Sequence, residues 1–241
     1  MNNYDFQFLV MAQNEWNGQW MNRQQLFSRI GKTQRVIYSN GTFKSWDIKS
    51  NLYSDAPLMS QMKLTDNVWI CPRSKLLTRM PRLKIIDRII NTIYVSKLLK
   101  SLDRTSDTIL YLFHPDFLEY VDIIPHKILV YHAYDDFSKQ SNYHNVNHKE
   151  KTLLEKADLI FASSKKILER LIVISGRRDI VFLPNGVDFE GFSRRRAQPK
   201  DLGTIPGFKV AYIGSINNKI DFDLLSKLAL KIPKVQFILV G

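Results

Sequence analysis

Nine short runs of apolar, β-branched and aromatic residues recur along the chain, and helix-patterned stretches separate many of them. The runs lie at 6–12, 35–39, 67–70, 108–113, 127–131, 159–162, 180–183, 209–213 and 235–240. Helical spacing of apolar residues covers 23–30, 81–102, 149–157, 165–174 and 222–230. Strands that are apolar on both faces require helices over both faces, which is the pattern of a parallel α/β sheet. The stretch 193–207 carries Arg194-Arg195-Arg196, two prolines and two glycines, and a new strand–helix–strand begins after it. The expected organisation is a Rossmann-like domain over 1–192, a linker over 193–208, and the opening of a second Rossmann-like domain over 209–241.

Composition bounds the function classes. With 44% hydrophobic and 24% charged residues in 241, the chain is ordinary globular material rather than disordered or disulfide-framed. The single cysteine, Cys71, excludes an internal disulfide and a CxxC zinc site, and reads as a small buried hydrophobe in a reducing compartment. No run approaches the roughly 18 apolar residues of a membrane span, and the N-terminus lacks the basic head of a signal peptide. The expectation is a cytoplasmic protein.

The net charge of +12 favours anionic partners. It is uneven: residues 61–105 carry +7, 106–160 carry −4, and 161–200 carry +5. No C₂H₂ finger, RNP-like strand or basic zipper accompanies it, so nucleic acid is not the expected partner. Within the first basic block, Ile85, Ile86, Ile89, Ile90, Ile93 and Tyr94 share one helical face, opposite Lys84, Asp87, Arg88 and Asn91. That isoleucine face is expected to pack on the core. After Val95 the stripe moves to Val95, Leu98, Leu99 and Leu102, which predicts a kink near residue 95. The alternative is a basic surface resting on anionic lipid heads at the inner face of the membrane.

In open α/β sheets, ligands bind beyond the carboxyl ends of the strands. The residues that follow the expected strands are polar or titratable: Gln13, Asn14 and Trp16; Asn40 and Gly41; His114-Pro115-Asp116; His132 with Asp135-Asp136; Ser163-Ser164; and 184–188. His132 beside two carboxylates suits a general base; local turn capping is the other reading. His144 and His148 have the four-residue spacing of a zinc helix. Asn145, however, stands where the metalloprotease motif needs glutamate, so they read as loop histidines. No GxSxG, Walker A, kinase or GxGxxG signature is present.

Two segments carry a family resemblance. Val181-Phe182-Leu183-Pro184-Asn185-Gly186-Val187-Asp188-Phe189-Glu190-Gly191-Phe192 resembles the PNGVD hinge of GT-B glycosyltransferases of family four. The run from Val210-Ala211-Tyr212-Ile213-Gly214-Ser215-Ile216 through Asp221-Phe222-Asp223-Leu224-Leu225 to Phe237-Ile238-Leu239-Val240-Gly241 resembles the opening of that fold's donor-sugar domain. Upstream, Trp20-Met21-Asn22-Arg23-Gln24-Gln25-Leu26 with Arg35-Val36-Ile37-Tyr38, and 157–164, are similar to the acceptor domain of members that build bacterial cell-surface polysaccharides.

The resemblance implies a GT-B fold and transfer of a hexose from a nucleotide-diphosphate sugar to a saccharide or lipid-linked acceptor. It implies no metal and no cofactor, the nucleotide sugar being a substrate. His132 and Asp136 are then expected near the reacting hydroxyl. Asn185, Gly214 and Lys219 are expected on the donor, and Asn14, Trp16 and His114 on the acceptor. Helix N–H groups near Asp221 would meet the diphosphate. Three departures stand out: Ser215 and Lys219-Ile220 replace the Arg and Lys-Gly of many members, and Gln13-Asn14 replaces a Gly-Gly turn. The family's paired glutamates would fall beyond residue 241, so the donor domain is expected to be cut short and the chain inactive alone. The rival reading is a non-catalytic Rossmann-like module that binds an anionic ligand or membrane.

Overall fold

The computed structural model describes residues 6–139 and 146–241, which divide into two compact units, 1–186 and 187–241. The first unit runs β1 (Phe6–Met11), α1 (Asn22–Ile30), β2 (Arg35–Ser39), α2 (Asn51–Asp55), β3 (Lys63–Thr65), β4 (Val68–Cys71), α3 (Lys84–Ser101) and β5 (Asp107–Leu112). It continues with α4 (Leu118–Val121), β6 (Ile128–Ala133), α5 (Val146–Lys156), β7 (Leu159–Ala162), α6 (Lys165–Ser175) and β8 (Val181–Phe182). The strands form one sheet in the order β3-β4-β2-β1-β5-β6-β7-β8. Every neighbouring pair is parallel except β3 with β4. The unit is therefore α/β with a mostly parallel sheet, compatible with a Rossmann-like fold, and the strand order reverses between β1 and β5.

Alternation along the strands divides the core between the two faces of the sheet. Leu9, Met11, Leu110, Leu112 and Tyr131 point to one side and bury against Tyr94, Leu98, Leu153 and Leu171. Val10, Tyr38, Tyr111 and Phe113 point to the other and bury against Trp16 and Phe27. Each fully buried Leu or Phe of this kind contributes about 1.5–3 kcal/mol relative to exposure. Local signals set the helix ends. Ser164 caps α6 by accepting from the Ile167 amide at 3.2 Å, and Gly176 ends it in the left-handed region at φ 71°.

Two local expectations are corrected. Strand β3 was not foreseen; it pairs antiparallel with β4 across a tight turn in which Asp66 and Asn67 hold φ of 50° and 65°. Helix α3 runs unbroken past residue 95, and its buried side chains are Tyr94, Val95 and Leu98. Ile85, Ile86, Ile89 and Ile93 face solvent. On the inward side lies Asp87, whose carboxylate accepts from Nε of the buried Arg79 at 3.1 Å and from its Nη2.

The second unit contains α7 (Phe189–Ser193), α8 (Lys200–Gly203), β9 (Phe208–Ile213), α9 (Phe222–Lys231) and β10 (Val235–Val240). Strands β9 and β10 pair in parallel, with Val210 opposite Phe237. The boundary between units falls after Gly186, earlier than the 192 read from the sequence. The last backbone bond to the large sheet is Leu183 N to Ala162 O at 2.9 Å, and the stretch read as linker holds the short helices α7 and α8. Among the described residues, no helix is long and apolar enough to cross a membrane.

Candidate functional site

The loops that leave β1, β2, β4 and β5 surround a cleft of about 1030 Å³ in the first unit. This lies at the carboxyl edge of the sheet, where the strand order reverses. Its wall from the β1 loop includes Asn14 and Glu15, and from the β2 loop Asn40, Gly41, Thr42, Lys44 and Trp46. Arg73 enters from beyond β4. Asp116, Phe117, Glu119 and Tyr120 come from beyond β5, and Lys149 from α5.

The cleft floor is built by Asn40. Its side-chain amide donates to Ala12 O at 3.0 Å and to Asn14 O at 2.6 Å, while its own Oδ1 is buried with no hydrogen-bond partner among the described residues. An unpaired buried acceptor in a cleft wall matches a ligand that brings a donor. Arg73 clamps the same loops, donating from Nε to Asn40 O at 3.1 Å and from Nη2 to Gln13 O at 3.3 Å. Gly41 sits at φ 77°, and a Cβ there would lie 3.1 Å from Phe117 Cε1, so glycine lets the β2 loop pass the ring.

Charge in the cleft is mixed. Burial pushes the Glu15 carboxyl up, and the Arg73 guanidinium, 3.9 Å away, only partly offsets this. Burial also works against ionisation of Asp116, but its hydrogen bond from Lys149 and the charge of Lys44 outweigh it and hold Asp116 below the ordinary range. Carboxylates, an amide oxygen and an aromatic rim from Trp46 together suit a ligand dense in hydroxyl donors with an apolar face.

Behind the cleft, Arg23 in the first turn of α1 is 1% exposed. It donates from Nη1 to Asn14 Oδ1, lies 3.9 Å over the Tyr134 ring, forms no salt bridge among the described residues, and leaves Nε unpaired. A buried guanidinium that meets an amide oxygen and the rings of Phe113 and Tyr134, with no acidic partner among the described residues, is electrostatically open to an anion.

The expected site residues are spread over different surroundings. Asn14 lines the cleft. Trp16, His114 and His132 are core side chains. Trp16 packs edge-on against Tyr38 at 5.0 Å and donates to Asp66 at 3.2 Å. His114 is fully buried against Phe137, with Nδ1 accepting from the Asp116 amide at 3.1 Å. His132 lies among Phe113 and Phe161, with Nδ1 2.9 Å from the Tyr111 hydroxyl. Burial pushes both histidines down to about 4, so each is a neutral packed ring at neutral pH. Asp136 is engaged locally, accepting from Ser138 Oγ and lying 3.3 Å from Arg170 Nε. Position after a strand identified these residues; it does not say which way a side chain points.

Asn185 accepts from Asn22 at 2.8 Å, which ties the loop after β8 to the start of α1 within the first unit. Gly214 and Lys219 lie in the second unit, after β9. There the Gly214 amide donates to Val240 O at 2.9 Å, and the Lys219 amide donates to Asn217 Oδ1 at 3.0 Å. Asp221 caps α9, accepting from Leu224 N at 2.9 Å, so its carboxylate occupies one of the amides expected to meet a diphosphate. His144 lies outside the described residues; among the described residues no cluster of three His, Cys, Asp or Glu is placed to hold a metal. Glu15, Arg23 and Arg73 were not among the site residues expected from sequence, although Arg23 falls in the 20–26 segment that carries the resemblance. Their shared signal was a charged residue within a few positions of a strand end or helix start.

No family model matches this chain, and no curated protein sequence matches it with significance. The fold and cleft define the class directly: an α/β protein with a mostly parallel sheet and a polar cleft at its strand-order reversal.

Proposed function

We propose that this chain carries the acceptor domain and the opening of the donor domain of a GT-B glycosyltransferase. The reaction is transfer of a hexose from a nucleotide-diphosphate sugar to a saccharide or lipid-linked acceptor in cell-surface polysaccharide synthesis. The observation that supports it best is the cleft at the reversal point, with the unpaired Asn40 Oδ1, the Glu15 carboxyl and the Trp46 rim. Sugar hydroxyls supply donors to Asn40 Oδ1 and to the Glu15 carboxyl, and Arg73 fixes both loops. The PNGVD segment at the unit boundary and the strand–helix–strand that follows support the two-domain part of the reading. In the second unit the donor side is assigned to the Gly214 loop and Lys219.

The test is saturation-transfer NMR of this chain with neutral, amino-sugar and uronic-acid oligosaccharides. At least one class gives saturable transfer, and Glu15→Gln weakens it by about tenfold, the worth of one hydrogen bond to a charged group. Transfer itself is assayed with nucleotide-diphosphate hexoses. If no saccharide binds while inorganic phosphate or a nucleotide does, the glycosyltransferase reading falls and the anion-binding module replaces it. Arg23 is the residue that favours that second reading.

A further inference from the structure

Helix α3 turns its most apolar stripe to water. Ile85, Ile89 and Ile93 follow one another at one-turn spacing and are 79%, 54% and 53% exposed, with Ile86 beside them. On a wheel of about 100° per residue the four span an arc of roughly 100°. Apolar surface continues onto the neighbouring backbone. Lys97 donates to Ser60 O at 2.6 Å, which holds the 57–60 segment against the helix one turn past Ile93. The Leu76 amide donates to Leu58 O at 3.1 Å. Leu58, Met59 and Leu76 are all exposed.

The charge around this stripe has one sign. Arg82, Lys84, Arg88 and Lys100 are exposed and form no salt bridge among the described residues. The only acid of α3, Asp87, is committed to Arg79. An exposed apolar stripe edged by unpaired cations is the pattern of a helix that lies in the plane of a lipid interface. A second copy of the same face would set these cations against one another, and a free phosphate would leave the isoleucines without a role.

We infer that this face docks on an anionic lipid bilayer, with Ile85, Ile89 and Ile93 in the headgroup–acyl boundary and the basic side chains on lipid phosphates. Arg82 also lines the cleft, so the cleft opens beside the docking face. The inference does not rest on the glycosyltransferase reading, and its test involves no sugar.

The experiment is vesicle flotation of the chain with pure phosphatidylcholine and with equal parts phosphatidylcholine and phosphatidylglycerol. Two triple variants accompany it, K84E/R88E/K100E and I85S/I89S/I93S. All six positions are exposed, so the fold is retained, and circular dichroism and melting check that. Binding is expected only to the anionic vesicles. The charge variant lowers partitioning more than about a hundredfold, at roughly a factor of five for each basic residue lost near the surface. The serine variant lowers it at least about tenfold. Equal binding to neutral vesicles, or binding that neither variant alters, overturns the inference. So does absence of vesicle binding, whether the chain is monomeric or forms a dimer that the serine variant dissolves; the dimer would mark the face as a contact between copies.

Discussion

Arg79 holds Asp87 through two parallel hydrogen bonds, and the same guanidinium reaches Glu119 in α4 at 2.8 Å. One buried cation therefore joins the start of α3 to α4, on the same side of α3 as its buried Tyr94, Val95 and Leu98. Removing one partner of a buried ion pair leaves the other charge without compensation, at a cost of about 3–5 kcal/mol. Because Glu119 remains to balance Arg79, Asp87→Ala should fall at the low end, about 3 kcal/mol. Urea unfolding measures it; a loss below about 1 kcal/mol would mean that the pair behaves as a surface contact.

Stability should fall as the medium becomes acidic, through His114 and His132. Both are buried and held down to about 4 from an ordinary 6.5. The unfolded chain therefore binds up to two more protons than the folded chain between those values, and the slope of stability with pH is positive there. The contribution is complete above about 6.5 and is lost as pH falls toward 4, at about 3 kcal/mol for each histidine. Denaturation series at pH 7.5, 6 and 4.5 should show this slope, and His132→Gln should remove about half of it. A flat profile over that range would show that the rings protonate without leaving the core.

Much of the fold was legible because β1, β2, β5 and β6 each hold at least three apolar residues in a row, as 8–11, 36–38, 109–112 and 128–131 do. The facing of α3 was not legible. Its isoleucines are the more apolar set, yet the opposite side, with Asp87 paired to Arg79, lies inward. Strand β3 has only three residues, none buried, and its one signal was the Asp66-Asn67 turn. In the site, Asn14, Asn40, Gly41 and Asp116 were visible as polar residues beyond strand ends. His132 lies within β6, where the pleat directs it among Phe113 and Phe161, a direction that its place near a strand end did not reveal.

Gly41→Ala tests the cleft floor. The substitution places a side chain at φ 77°, and its methyl 3.1 Å from the Phe117 ring. Strain at a left-handed position costs about 1–2 kcal/mol, and relief requires the ring to move into the cleft. Loss of stability in that range should therefore accompany weaker saccharide saturation transfer. A variant as stable as the parent would show that the β2 loop relaxes freely and does not shape the cleft.

Arg73 and Glu15 give the most direct reading of cleft electrostatics. Burial raises the Glu15 carboxyl and Arg73 opposes it at 3.9 Å, with burial the larger effect. Arg73→Met keeps the length of the side chain and removes the charge together with the donors to Asn40 O and Gln13 O. Glu15 should then titrate still higher, because only the burial effect remains. Its carboxyl carbon, followed by NMR against pH, reports this directly. The loop carbonyls also lose their clamp, so saccharide affinity should fall by about tenfold, the order expected for one charge-assisted hydrogen bond. Arg73→Lys restores the charge but not the planar fork. It should return Glu15 toward its parent titration while leaving affinity low. A Glu15 titration that does not move in Arg73→Met would show that the guanidinium serves the loop carbonyls alone.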